Sequence, residues 1–272
     1  MKILPALLLG ALLSASPQTN LYQLLVDSQG LVGIVSFNGV PMLRLDGNPR
    51  TQAALINPWI HAGENSVAFE YALDRSSNAL AVARLKLRLA VAWRGEKGVR
   101  NEPLWAYELP RKKNGAPDIP PEETLTGETR VELPLHTKTW LDVAPKITID
   151  EGVRKRLAGE VAAFHRAVET SDQKALERLT WWKTEETARL GGLSLTPAQF
   201  TVRVSNFIGV LKGFRLEKLD TKGLRFDPLA GDRVVVVTRE GNRSPIAFTG
   251  PKGDMEIDLY YGMVSNRWML VR

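Results

Sequence analysis

The sequence predicts an α+β protein in two parts, an antiparallel β-sandwich followed by a domain that runs helices first and strands afterwards. Three observations carry this. Arg84-Leu85-Lys86-Leu87-Arg88-Leu89 alternates cation and leucine, the signature of a strand with one wet and one buried face. From about Asp142 to Thr148 the pattern changes to helical spacing, with Val153, Leu157, Val161, Phe164 and Val168 on one stripe. Beyond Gly213 it returns to short apolar runs separated by turn residues. Helices and strands segregated in this way mark α+β rather than α/β.

The first residues have the layout of a secretory leader. Lys2 precedes a mostly apolar run from Ile3 to Leu13, and the small residues Ser14-Ala15-Ser16 follow as a cleavage region, so residues 1–16 are assigned as a signal peptide. Gln18, Thr19 and Asn20 end the apolar run well short of the roughly 20 residues a membrane span needs, and no membrane insertion is expected. The chain has no cysteine, which excludes disulfides, thiolate metal sites, a cysteine nucleophile and a lipidated N-terminal cysteine. A periplasmic or secreted location follows.

Residues 21–142 form the expected sandwich. Leu21 to Val26 and Leu31 to Phe37 read as strands, and Asn38-Gly39 is a two-residue hairpin turn leading into Val40 to Leu45. Asp46-Gly47-Asn48-Pro49 closes that unit. Val131, Leu133 and Leu135 alternate, and Pro134 on the opposite face marks an edge strand. Pro110 to Arg130 has no apolar period and reads as a long exposed loop in which Arg111, Lys112 and Lys113 form a contact patch or a solvated turn.

Residues 146–272 form the second expected domain. Thr148 or Asp150 caps a first helix, Ser171 or Asp172 a second, and Thr196-Pro197 opens a third with Phe200, Val204, Phe207 and Leu211 on its stripe. Leu176, Leu179 and Trp182 line the second helix, while Trp181 falls off that stripe. The strands expected next are 214–219, 224–229, 234–238, 246–249, 255–263 and 268–271. The basic excess lies in this part, with 21 basic and 16 acidic side chains in 146–272 against 14 and 14 in 21–145. With a pI near 9.5, so small an imbalance reads as solvated charge, and no nucleic-acid partner is expected.

Two resemblances enter here. Asn57-Pro58-Trp59-Ile60-His61-Ala62-Gly63-Glu64-Asn65, with Phe37-Asn38-Gly39-Val40, resembles a turn of galactose-binding-like β-sandwiches, in which Gly-x-Asn launches a strand. That likeness implies a jelly-roll fold. It leaves Trp59 either as a platform for a carbohydrate or as a plug in the sandwich, with His61 solvated. Phe164-x-x-Ala167 with Asp172 and Leu176-x-x-Leu179, together with Tyr260-Tyr261 and Ser265-Asn266-Arg267-Trp268, resembles the NTF2-like superfamily, which includes the SnoaL-like proteins. This implies helices lying across a strongly curved antiparallel sheet, with Phe164, His165, Trp182, Phe207 and Tyr261 facing the cone as a ligand pocket or as packed core.

The chemistry-bearing motifs are mostly absent. The sequence has no Gly-x-Ser-x-Gly elbow, no HExxH and no phosphate-binding glycine loop, and His61, His136 and His165 stand in different elements. No cofactor and no metal are expected. Asp254, Glu256 and Asp258 share one strand face, where pairing with Arg239, Arg243 or Arg267 accounts for them better than a cation does. The resulting expectation is an exported, non-enzymatic binding or interaction protein of the cell envelope, with a protein or carbohydrate partner, Trp59, Trp181 and Arg111 to Lys113 as contact candidates, and no catalytic residue assigned. The alternative is a small-ligand-binding protein or an enzyme of isomerase or hydrolase type using the cone, with His165 as its acid or base. The oligomeric state is not fixed by these residues.

Overall fold

A computed structural model describes residues 21–61, 63–75, 79–95, 98–120, 123–133, 139–190, 194–251 and 253–271, with backbone alone at 93–95 and 98–101. The expected leader at 1–16, Pro134, Leu135, His136 and Gly191-Gly192 lie outside these residues. The protein is α+β and divides into two compact units, one of 144–189 and 194–271, the other of 21–143 with Leu190.

The first unit runs β1 (Leu21–Gln29), β2 (Leu31–Phe37), β3 (Val40–Asp46), β4 (Arg50–Leu55), a 3-10 turn (Asn57–Trp59), β5 (Gly63–Leu73), the short α1 (Ala79–Val82), β6 (Arg84–Gly95), β7 (Gly98–Glu108), β8 (Leu125–Leu133) and α2 (Trp140–Val143). Its strands form two antiparallel four-stranded sheets, ordered β4-β1-β6-β7 and β3-β2-β5-β8. Alternation dictates which face is buried. Tyr22, Leu24 and Val26 of β1 and Leu85, Leu87 and Leu89 of β6 are almost wholly buried, while Lys86 and Arg88 are exposed. Asn38 and Gly39 both take positive φ, 50° and 74°, between the paired Phe37 and Val40, so the hairpin turn is of the primed kind that matches strand twist.

Several strands escaped the sequence pattern. Arg50–Leu55 lacks β-branched alternation yet pairs with β1. β7 carries Pro103 and pairs with β6 only through a register shift at Leu89/Ala90. The expected loop over 110–130 is shorter than that, because β8 already begins at Leu125 and pairs with β5. Within the remainder, Lys112 N–H bonds to Ala116 O and Arg111 bridges Pro117, so the basic triplet sits on a tight turn.

The second unit runs α3 (Glu151–Glu169), α4 (Gln173–Leu190), α5 (Pro197–Leu211), β9 (Arg215–Leu216), β10 (Arg225–Leu229), β11 (Val234–Thr238), a 3-10 turn (Glu240–Asn242), β12 (Ile246–Thr249), β13 (Met255–Ile257), β14 (Leu259–Val264) and β15 (Arg267–Leu270). Asp150 caps α3 through Val153 N–H, and Thr196 with Gln199 closes a capping box on α5, each satisfying amides that a helix start leaves open. The strands that the resemblance would group in one sheet divide between two ladders, β10-β11-β14-β15 and β13-β12-β9. The single strand expected over 255–263 breaks at Asp258 into β13 and β14, one in each ladder. Leu157, Val161 and Phe164 of α3 and Phe200 and Val204 of α5 share one core with Val235, Phe248, Leu259 and Tyr261.

Candidate functional site

His165 leads to the most strongly polar cluster of the second unit. It is buried on α3 and donates its Nε2–H to Glu217 O at 2.9 Å. Glu217 directly follows β9, whose pairing with β12 is extended by the bond from Glu217 N–H to Ala247 O. The Glu217 carboxylate therefore projects from a fixed backbone. It accepts from Arg239 Nη2 at 2.5 Å and from Arg243 Nη2 at 3.0 Å. Arg243 also donates Nε–H to Glu256 on β13 at 2.9 Å. The result is a chain of alternating charge, Arg239, Glu217, Arg243, Glu256, spanning three elements.

The turn between the two arginines aligns them. Arg239 N–H bonds to Arg243 O, and Gly241 and Asn242 take positive φ between them, which brings both guanidinium groups to the same carboxylate. Ser244, almost fully buried, anchors the far side by donating to Ile257 O and accepting from Ile246 N–H. The hydrogen bond from Arg239, joined by that from Arg243, holds the Glu217 carboxyl below the usual carboxylate range against the opposing effect of partial burial. Its bonds to Glu256 and Glu217 push Arg243 the other way, further into its charged form.

Beside this chain lies a recess of about 310 Å³ lined by Lys218, Leu219, Asp220, Gly223, Leu224, Arg239, Glu240, Arg243 and Pro245. That volume is at the small end of the range for small-molecule sites. Lys218 and Glu240 are exposed on its wall and have no ion-pair partner among the described residues. Arg239 Nε is buried and makes no hydrogen bond among the described residues. The recess thus offers both signs of charge, with Arg239 and Arg243 held in place by their carboxylates.

Of the expected cone residues, three belong to or pack on the core of the second unit. Phe164 and Tyr261 are buried in the common core, and Phe207 is half-buried against it. Burial, then the nearby Glu160 carboxylate, drives the Tyr261 hydroxyl above its ordinary range and keeps it neutral. The tryptophans exchange the places expected of them. Trp181 packs on the core, edge-on to Phe200 at 5.0 Å between ring centroids, while Trp182 is half-buried outside that cluster. Leu176 belongs to that core and Leu179 packs against it, so the inward face of α4 is wider than the expected stripe and takes in Trp181.

Trp59 is 1% exposed, which rules it out as a surface platform. Its carbonyl accepts from Asn38 Nδ2, and Asn38 also donates to the buried Asn65. Asn65 accepts from His61 N–H and donates to His61 O and Gly63 O, so the Gly-x-Asn turn is held by one side chain. His61 is not solvated, because its Nδ1 stands 3.5 Å from Asp142 Oδ1 in a half-buried pair. Arg111, Lys112 and Lys113 are exposed, with Arg111 donating to Gly115 O and Lys112 3.9 Å from Asp118. The row Asp254, Glu256, Asp258 behaves as charge pairing predicts at Glu256, and no group of three acidic or histidine side chains among the described residues is placed to hold a metal.

Sequence reasoning named His165, Arg239, Arg243 and Glu256 but not Glu217, Lys218 or Glu240. A signal for Glu217 was there in Arg215-Leu216-Glu217, whose alternation puts Glu217 on the polar face with Arg215, whereas Lys218 falls on the face of Leu216. Comparison with family models, with curated proteins and with solved structures found no match to this chain. Among the described residues no helix is long and apolar enough to cross a membrane.

Proposed function

We propose that the protein is an exported, non-enzymatic binding protein of the cell envelope, built from an N-terminal β-sandwich and a C-terminal NTF2-like domain, and that it takes its partner at the recess beside Glu217. The observation that supports the reading is the recess itself. Its wall is stiffened by the Arg239, Glu217, Arg243, Glu256 chain, while Lys218 and Glu240 at its rim are uncommitted. Charges of both signs around a small concavity, two of them held by ion pairs, favour recognition of a polar partner group over nonspecific adhesion. The alternating burial of the N-terminal strands and the shared core of helices and strands in the second unit support the fold assignments.

The test uses the full chain as bait against a solubilised envelope fraction. A component retained by the wild type is expected to be lost from a Lys218→Glu/Glu240→Lys variant and kept by Arg111→Glu/Lys112→Glu/Lys113→Glu. Loss with the triple variant instead would move the contact to the 111–117 turn and refute the recess.

A further inference from the structure

Sheet edges are usually protected against pairing with another chain, by short strands, bulges or proline. In the first unit three of the four edges are protected in this way. β4 has only six residues. β3 contains Pro41 and meets β2 across a register shift. β7 contains Pro103 and meets β6 across another. Within Leu125–Leu133 β8 has none of these features: Pro134 comes only after its last residue, and its charges, Glu128, Arg130 and Glu132, are of mixed sign. Its nine residues pair with β5 in unbroken register from Gly63↔Leu133 to Tyr71↔Leu125, with no proline. Among the described residues no backbone group of β8 bonds to anything but β5, so alternate residues carry N–H and C=O groups aimed outward. The row facing the sheet interior, Leu125, Gly127, Thr129 and Val131, is only half-buried, as expected of a layer lacking its next strand.

The order of residues along this edge selects the occupant. Read outward in both directions from Thr129, Leu-Thr-Gly-Glu-Thr-Arg-Val-Glu-Leu matches glutamate with arginine, glycine with valine, threonine with glutamate and leucine with leucine. We propose that two copies of this chain pair antiparallel through β8 about a twofold axis at Thr129, joining their β3-β2-β5-β8 sheets into one. In that register Glu128 of each copy faces Arg130 of the other, Leu125 faces Leu133, and inward residues meet inward residues. A shift of one residue in the pairing sends buried side chains against exposed ones. Centring on Glu128 or on Arg130 places like charges opposite each other. The register at Thr129 avoids both faults and uses all nine positions. The Glu64–Arg130 pair at 2.9 Å is exposed and leaves the guanidinium free to share a second carboxylate.

The experiment is the solution mass of the full chain by light scattering across concentration, with circular dichroism to check folding. The wild type is expected to reach the dimer mass. Glu128→Arg and Arg130→Glu, each folded, are expected to weaken the dimer by about tenfold or more, since each turns two attractive cross-strand pairs into repulsive ones. The double swap Glu128→Arg/Arg130→Glu restores the pairs and should recover the dimer, and mixing the two single variants should yield a heterodimer. Because the chain has no cysteine, Thr129→Cys gives an independent reading. Opposed antiparallel positions lie within disulfide range, so it should cross-link on mild oxidation, while Thr126→Cys, opposite Glu132, should not. A wild type that stays monomeric at its solubility limit, a dimer indifferent to the charge reversals, or cross-linking equal at positions 126 and 129 would each overturn the proposal.

Discussion

Replacing Asn65 by alanine should destabilise the protein well beyond an ordinary surface truncation. Asn65 is 1% exposed and makes four hydrogen bonds: it accepts from His61 N–H and Asn38 Nδ2, and donates to His61 O and Gly63 O. Gly63 is exposed, so water can replace the amide at its carbonyl. The groups at His61 and Asn38 are more enclosed. Stranding two of them at about 1–3 kcal/mol each gives an expected loss of about 2–6 kcal/mol. Asn65→Asp sharpens the test. A carboxylate cannot donate to His61 O or Gly63 O, so burial against two carbonyls, outweighing the donors His61 N–H and Asn38 Nδ2, should raise its folded pKa above the unfolded value of about 3.9. A carboxyl raised in this way is tolerated at low pH and costs stability as pH rises through and beyond that value. Urea unfolding should therefore place Asn65→Asp below Asn65→Ala at neutral pH and bring the two together in acid. If Asn65→Ala stays within about 0.5 kcal/mol of wild type, the level of an ordinary surface change, the turn is not held by this side chain.

Glu217→Gln removes the carboxylate that both arginines share. Because the folded pKa of Glu217 is depressed, the wild type's advantage over the variant should be full above the ordinary glutamate value of about 4.3 and shrink as pH falls below it, measured as the gap between their melting temperatures. Phe248→Ala, in a site 1% exposed, should cost about 3–5 kcal/mol by urea unfolding, and Phe207→Ala, half-buried, no more than about 3. His165→Gln should leave partner capture unchanged, since an amide can still donate toward Glu217 O. A folded His165→Gln protein that has lost a measurable turnover by a hundredfold would instead identify His165 as an acid or base and displace the binding reading.

What was legible beforehand depended on how local its cause is. The Asn38-Gly39 turn, the leucine row of β6 and the stripes of α3 and α5 follow from conformational preference and periodicity over a few residues, and the structure has them where the pattern puts them. β4 and β7 gave no such signal. Arg50 to Leu55 is held as a strand by its ladder to β1, and β7 accommodates Pro103 only because the strand is at an edge beside a register shift. The same holds for the site. Glu256 and Arg243 could be matched as neighbours on adjoining strands, but the approach of Glu217 to Arg239 depends on where β9 docks on β12 and on the turn at Gly241. Trp181 and Trp182 differ by one step of a helix, and which one faces the core was decided by the packing at Phe200 rather than by the stripe.

The pairing order of the first unit also constrains how fast it can form. β1 must wait for β6, and Gly63 of β5 finds its partner at Leu133, so neither sheet is complete until nearly the whole unit has been gathered. Ordering long loops before any contact rewards them makes such topologies slow to fold. In the second unit α3 to α5 and the β10-β11 and β14-β15 hairpins join near neighbours in the chain. Refolding from denaturant should accordingly show a fast phase reporting on the helices, seen in far-ultraviolet ellipticity, and a slower one seen in the fluorescence of a variant that keeps the buried Trp59 as its one tryptophan out of seven.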